Sequence, residues 1–342
     1  MHTNRLRPVP TKNKSSKRVG PRPRPLNVKV MLLFLFGFMS YGTDASAANC
    51  LYISSYHQGY EWNDGIEEGI ESTLNNHCKL DRFYMDTKRF PDKAFIKKMA
   101  LAAKKHIETT KPDVVIACDD NASKYLIKPY FKHHEIPFAF CGINWTVDEY
   151  GYPYENVTGM IEVAPIRPLL KVVRKLVEKT NKGVYLSADV LTEHKDYQRY
   201  KTKYAEAHVN LKGVFVKTSE AWKREFINAQ SADFIILNNN SGINDWNNND
   251  IREFVIHNNK TLSITNYEWM IPYSMLAMTK IPQEQGEWAA KIAIAILQGE
   301  KAGNLPIVVN RRWNIFINDT LVKNSTYTLP PSIMTKAVRR EK

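Results

Sequence analysis

From residue 48 onward, short unbroken apolar runs alternate with stretches whose apolar residues recur every three or four positions, the signatures of buried strands and amphipathic helices. The first run, Leu51, Tyr52 and Ile53, stops at a polar, turn-prone loop formed by Ser54, Ser55, Tyr56, His57, Gly59 and Tyr60. Trp62, Ile66, Ile70 and Leu74 then share one helical stripe, so a helix begins at Trp62. Residues 79–85 read as a strand. Pro91 opens a helix carrying Phe95, Met99, Ala103 and Ile107 on one side, and Lys111-Pro112 ends it. DVVIAC at 113–118 has the composition of a strand buried on both faces. Asp119, Asp120 and Asn121 suit the cap of the next helix, and IPFAFC at 136–141 is another buried strand.

The alternation restarts after a break rich in Tyr, Pro and Gly at 150–154. A strand at 157–161 precedes a helix at 165–179, a strand at 183–187, a polar helix at 193–207 and a strand at 214–217. A helix bearing Ala221, Trp222 and Phe226 leads to a strand at 233–237 and the polar loop Asn238, Asn239, Asn240, Ser241 and Gly242. Trp246, Ile251, Phe254 and Val255 mark the next helix, and 261–265 the closing strand. Two successive sets of alternating strands and helices predict an α/β protein of two doubly wound parallel-sheet lobes. Residues 266–272 are expected to return the chain to the first lobe for a strand at 275–278 and a helix at 282–297. A third crossing at 305–309 then leads back. The expected division is 48–156 with 267–304 for lobe 1, and 157–266 with 305–342 for lobe 2, joined by a multi-segment hinge that closes on a ligand.

Composition changes this picture at the amino terminus. The 342 residues, 43% hydrophobic and 24% charged, are ordinary for a globular chain with room for two domains. The net charge of +13 is concentrated in residues 1–47, which hold nine Lys and Arg and one acid; 39 bases and 34 acids remain beyond them. The basic tail resembles a nucleic-acid-binding arm, but the apolar run VMLLFLFGFM at 30–39 and the small residues Ala45-Ser46-Ala47 follow it. Residues 1–47 therefore read as a signal peptide with a long basic n-region, or with a start near Met31, cleaved after Ala47 to release a periplasmic protein. The run is too short to span a bilayer as a helix.

Four cysteines in an exported chain admit three complete pairings. Cys50 starts the first strand and Cys78 follows the first helix, ends that lie on the same side of a βα unit, so these two are the expected disulfide. Cys118 and Cys141 each end an apolar run and could sit side by side on neighbouring strands, either paired or as free thiols packed in the core. No G-x-S-x-G, H-E-x-x-H, C-x-x-C or Gly-rich phosphate loop occurs, and His133-His134 is an adjacent pair on an expected surface loop. The chain is thus expected to be no enzyme, with no metal and no cofactor.

Ligands of open α/β sheets lie beyond the carboxyl ends of strands. The first lobe offers Ser54, Ser55, Tyr56, His57, Tyr60 and Trp62, then Asp119, Asp120 and Asn121, then Gly142, Asn144 and Trp145. The second offers Ser187, Asp189, Asn238, Asn239 and Asn240, and the hinge segment Tyr267, Glu268 and Trp269. Hydroxyls and helix-terminal amides suit a carboxylate, the aspartates an ammonium group, and the rings an aromatic or a cation. Helix capping accounts equally for Asp119 to Asn121, and hinge packing for Trp269.

The segments ISSYHQGYEWNDGIEEGI, VVIACDDNASKYL, IPFAFCGINWT, NVTGMIE and EQGEWAAKIAIAILQGEKAGNLPIVVN with NIFIN resemble the ABC transporter substrate-binding family with the type I periplasmic binding protein fold. The resemblance runs from about Asn49 to the end of the chain. SSYHQGYEW is richer in aromatics than the Ser/Thr loops of amino-acid-binding members. The family implies capture of a solute between the lobes and its delivery to the membrane permease of an ABC importer; the candidate residues point to a small, amino-acid-like polar or aromatic solute, and a monomer is expected. Related modules imply the alternative of a sensor subunit for a histidine kinase or diguanylate cyclase. LacI-type regulators share the fold, but an export signal argues against a nucleic-acid partner.

Overall fold

A computed structural model describes residues 48–340; the expected signal segment and its expected cleavage site lie outside the described residues. The chain builds two sheets. The first is entirely parallel and contains β1 (Asn49–Ser54), β2 (Lys79–Tyr84), β3 (Val114–Cys118), β4 (Phe138–Asn144) and β5 (Val157–Glu162). The second contains β6 (Lys182–Ala188), β7 (Asn210–Val216), β8 (Phe234–Leu237), β9 (Leu262–Thr265) and β10 (Leu276–Lys280). The chain then returns to the first sheet as β11 (Val308–Val309) and to the second as β12 (Trp313–Asn318) and β13 (Ala337–Arg340). Sheet order is β11-β5-β4-β3-β1-β2 in one lobe and β13-β12-β10-β9-β8-β6-β7 in the other. Among the described pairings between two of these strands, only β10 with β12 is antiparallel.

Helices cover both faces of the first sheet. Successive β1 residues point to opposite sides: Cys50 and Tyr52 pack with α1 (Glu61–Leu74), Leu51 and Ile53 with α2 (Lys93–Thr110). The side chain of Asp92 starts α2 by accepting from Phe95 N at 2.8 Å, and the buried stripe is Ile96, Ala100, Ala103 and Ile107. Its first turn is thus rotated by one residue from the sequence expectation. A short α3 (Asp119–Ala122) runs into a π-helical stretch, Ser123–Phe131, whose Leu126, Ile127 and Phe131 cover the α2 side. In the second lobe, helices α4 (Ile166–Leu176), α5 (Leu191–Ala205), α6 (Ser219–Ala229) and α7 (Asn248–Asn258) alternate with its strands.

Strand membership corrects the expected division at three places. Val157–Glu162 does not open the second lobe but pairs with β4, Phe138 facing Val157. The break at 150–154 misled because its turn chemistry looked like a linker, whereas Tyr150, Tyr152 and Tyr154 are buried and Tyr152 stacks on Phe140 at 5.3 Å. Leu276–Lys280 stays in the second sheet, held between β9 and β12. Val308–Val309 belongs to the first sheet, beside β5.

The helix after β10, α8 (Pro282–Leu297), does join the first lobe, packing on α1. Their backbones nearly touch: a Cβ on Gly286 would stand 1.9 Å from Ile66 O, and one on Gly69 would stand 2.3 Å from Gln283 O. We expect Gly286→Ala to cost about 2–4 kcal/mol, since helix backbones rather than side-chain tips must separate; urea denaturation measures it. The three crossings between lobes are tied to one another. Asn310 accepts from Val163 N at 2.8 Å, and buried Glu284 accepts from the backbone amides of Arg311 and Arg312, each at 2.9 Å. Cys50 pairs with Cys78 as expected, and Cys118 with Cys141 across the adjacent strands β3 and β4.

Candidate functional site

In the first sheet the order β2-β1-β3 places a topological switch point between β1 and β3, and a cleft of about 480 Å³ opens beside their carboxyl ends. That volume is within the usual range for a small-molecule site. Asp119, at the end of β3, lies at the cleft with 2% of its surface exposed and a left-handed φ of +73°. Its position is fixed from below. Asn63 Nδ2 donates to Asp119 Oδ2 at 3.1 Å and to Ser54 Oγ at 2.6 Å. Ser55 Oγ donates to Cys118 O at 2.6 Å and accepts from Ala122 N at 2.9 Å. Gly142 leaves room for the carboxylate: with φ +68°, a Cβ there would come within 2.8 Å of Asp119 Oδ1.

Burial, and next the charge of Glu162, push the Asp119 carboxyl well above the usual carboxylate range, against the opposing hydrogen bond from Asn63. A buried carboxyl whose charged form is disfavoured in this way gains most from a cation placed beside it at the cleft wall. Glu162, the last residue of β5, is also buried, and its side chain is engaged by Lys280, the last residue of β10. This ion pair joins the two lobes beside their crossings. Lys280 Nζ also lies 5.1 Å from the centre of the Trp62 ring.

Aromatic rings supply most of the remaining wall. Tyr56 and Tyr60 meet edge to face at 5.5 Å, with Lys88 Nζ 5.2 and 4.9 Å from their centres. From the second lobe, Tyr267 and Trp269 stack at 4.4 Å, and Trp269 remains 52% exposed at the cleft. The Tyr267 hydroxyl reaches back to Glu193 at 3.4 Å and Asp196 at 3.5 Å. Burial and the charge of Glu193 raise the Asp196 carboxyl.

Of the residues expected from the sequence, Tyr56, Tyr60, Trp62, Asp119 and Asn144 line the cleft from the first lobe, and Tyr267, Glu268 and Trp269 from the second. The last three follow β9 within the second lobe rather than forming a hinge crossing. The other expected residues lie elsewhere, for identifiable reasons. Ser54 and Ser55 are wholly buried beneath Asp119. Asp120 accepts from Asn144 Nδ2 at 2.9 Å and from the Tyr150 hydroxyl at 2.5 Å, and Asn121 Nδ2 donates to Thr87 Oγ1 at 2.8 Å; both brace loops. His57 stands 3.5 Å from Asp86, and Gly142 N donates to Gln285 Oε1 at 3.0 Å. Trp145 leaves its own lobe, packing on the second core with Arg199 4.5 Å over its ring.

In the second lobe, Ser187 and Asn238 turn inward. Both donate to Glu193 Oε2, at 2.7 Å each, as does the Tyr185 hydroxyl at 2.9 Å. Asp189 is committed to His194 and Lys217 at the surface, and Asn239 Oδ1 accepts from Ser241 N at 2.9 Å. The sequence reading missed Glu61, Lys88, Glu162, Asn266, Thr279, Lys280 and Pro282. For Glu162 and Lys280 a signal was present, since each is a charge ending an otherwise uncharged strand.

Two α/β lobes with a ring-lined, carboxylate-bearing cleft and three tied crossings define a two-lobed solute-binding protein. The chain belongs to the ABC transporter substrate binding protein family, whose model matches residues 53–340. Membership implies a small-molecule ligand, an ABC permease partner and an extracytoplasmic place of work, and the family's role is binding rather than catalysis. Among the described residues no helix is long and apolar enough to cross a membrane. A search of curated proteins finds no significant match. Among solved structures, a ligand-free, open substrate-binding protein with adhesive properties from Clostridium difficile aligns with TM-score 0.69 at 12% identity, covering 86% of this chain and 100% of that one. The ABC domain from Streptococcus pneumonia in complex with L-Trp gives TM-score 0.55 at 16% identity, covering 86% and 99%. A conserved domain protein from Vibrio cholerae gives 0.55 at 15%, covering 86% and 99%. These likenesses concern the fold.

Proposed function

We propose that this protein is a periplasmic receptor that closes its two lobes on a small solute carrying a protonated amine and an aromatic ring, and presents it to an ABC importer. The observation that carries the reading is Asp119, a buried carboxyl at the cleft whose hydrogen-bond partner among the described residues is the Asn63 side-chain amide. Such a group favours a cation that allows it to ionise without remaining uncompensated. Tyr56, Tyr60, Trp62, Tyr267 and Trp269 surround the same space and suit a ring or the cation itself, each contact contributing about 0.5–2 kcal/mol. The cleft residues named above as contacts, and release from a signal peptide after Ala47, form part of this proposal. The L-Trp complex of the streptococcal structure supports the ligand class by analogy of fold.

Native mass spectrometry of freshly purified protein tests the reading: a retained solute with an amine and a ring is expected, and a retained sugar or a purely anionic solute overturns it. Calorimetry on two variants separates the tryptophans. Trp269→Ala is expected to weaken binding about 3- to 10-fold through loss of a cleft wall. Trp145→Ala is expected to lower the melting temperature and change affinity less than Trp269→Ala does, because its ring packs on the second lobe outside the cleft.

A further inference from the structure

The cleft is chemically two-sided. Asp119 faces it from the end of β3, whereas the ends of β9 and β10 contribute Asn266, Thr279 and Lys280. Asn266 and Thr279 are each 4% exposed, and Asn266 Oδ1 and Thr279 Oγ1 have no hydrogen-bond partner among the described residues. Buried polar atoms are normally satisfied, because leaving one unpaired costs stability. Two of them lining one cleft mark a place where an incoming group completes the bonding. Lys280 adds a charged donor. Its ammonium has three N–H groups, and Glu162 is its hydrogen-bond partner among the described residues.

A hydroxyl, an ammonium and a side-chain amide, whose nitrogen and oxygen exchange by rotation, together suit an oxyanion. We infer that Lys280, Thr279 and Asn266 form an anion subsite that reads a negatively charged group on the solute, so that the cleft selects a zwitterion over a simple amine. The inference rests on the reading of the cleft as a site for a ring-bearing amine, and adds what its second side recognises. Lys280 bridges Glu162 and the solute's anionic group, which balances the extra charge next to a buried carboxylate.

The test is calorimetry on the mature chain with matched probes, L-tryptophan against tryptamine and L-phenylalanine against phenethylamine. The amino acid of each pair is expected to bind about tenfold or more tightly than its amine. Lys280→Gln alone leaves Glu162 buried and unpaired, so the Glu162→Gln, Lys280→Gln double variant is the cleaner probe. In it the amino-acid-to-amine ratio is expected to fall to about twofold. Thr279→Val supplies a second readout: removing an unpartnered hydroxyl is expected to raise the melting temperature without solute while lowering the same ratio. Amines that bind the wild type as tightly as the amino acids, or a ratio unchanged in the double variant, overturn the subsite. Failure of all four probes to bind counts instead against the amine-and-ring reading of the cleft, and the subsite falls with it.

Discussion

Asp119→Asn is expected to lower affinity for a cationic solute by about 100-fold or more while leaving the solute-free protein more stable than wild type at neutral pH. The two effects have one cause. Asp119 is buried, and its folded carboxyl titrates above the unfolded value because burial and Glu162 disfavour the charge. The sign follows from linkage. Stability from the neutral acid is fully present below the unfolded carboxyl value and is lost as pH rises through the raised folded one. The melting-temperature advantage of the Asn variant should therefore widen from about pH 4 to about pH 7. Thermal scans across that window measure it, and an advantage independent of pH would show that Asp119 ionises normally. Binding of a cation should lower the Asp119 value and release a proton. Calorimetry in buffers of different ionisation enthalpy reads that proton directly.

Glu193→Ala is expected to destabilise the protein by about 3–5 kcal/mol, because it leaves the Tyr185 hydroxyl, Ser187 Oγ and Asn238 Nδ2 without a common acceptor inside the second lobe. Urea denaturation measures the loss, and a cost below about 1 kcal/mol would show that the buried network contributes little. Glu193→Gln preserves the shape and should recover part of the stability. Since the charge of Glu193 raises the Asp196 carboxyl, the Gln variant should also bring Asp196 back toward the ordinary range. The Tyr267 hydroxyl reaches both carboxylates, so loosening this network should also weaken solute binding through the Tyr267–Trp269 stack.

This network explains why Ser187 and Asn238, expected at the cleft, lie away from it. Ser187 and Asn238 follow apolar strands and look, in sequence, like ligand loops. Their polarity instead serves a carboxylate on α5 that is 45 residues from Asn238. The first lobe was more legible, since the loop after β1 and Asp119 after β3 flank a switch point that strand order alone creates. Glu162 and Lys280 were not legible as a pair, because 118 residues separate them and nothing local reports which strands end side by side.

What the sequence determined by itself was local. Apolar runs of strand length, helical stripes such as Ile66, Ile70 and Leu74, and the caps and breakers between them set the α/β alternation and the two lobes, because burial of one face is encoded by periodicity. Tertiary structure alone decided which sheet received β5, β10 and β11, and which polar residues faced the cleft rather than one another. Edge pairing, the close approach at Gly69 and Gly286, and the joining of Glu162 to Lys280 depend on backbones brought together from distant parts of the chain. Periodicity fixes the face a residue presents, and only packing fixes the neighbour it meets.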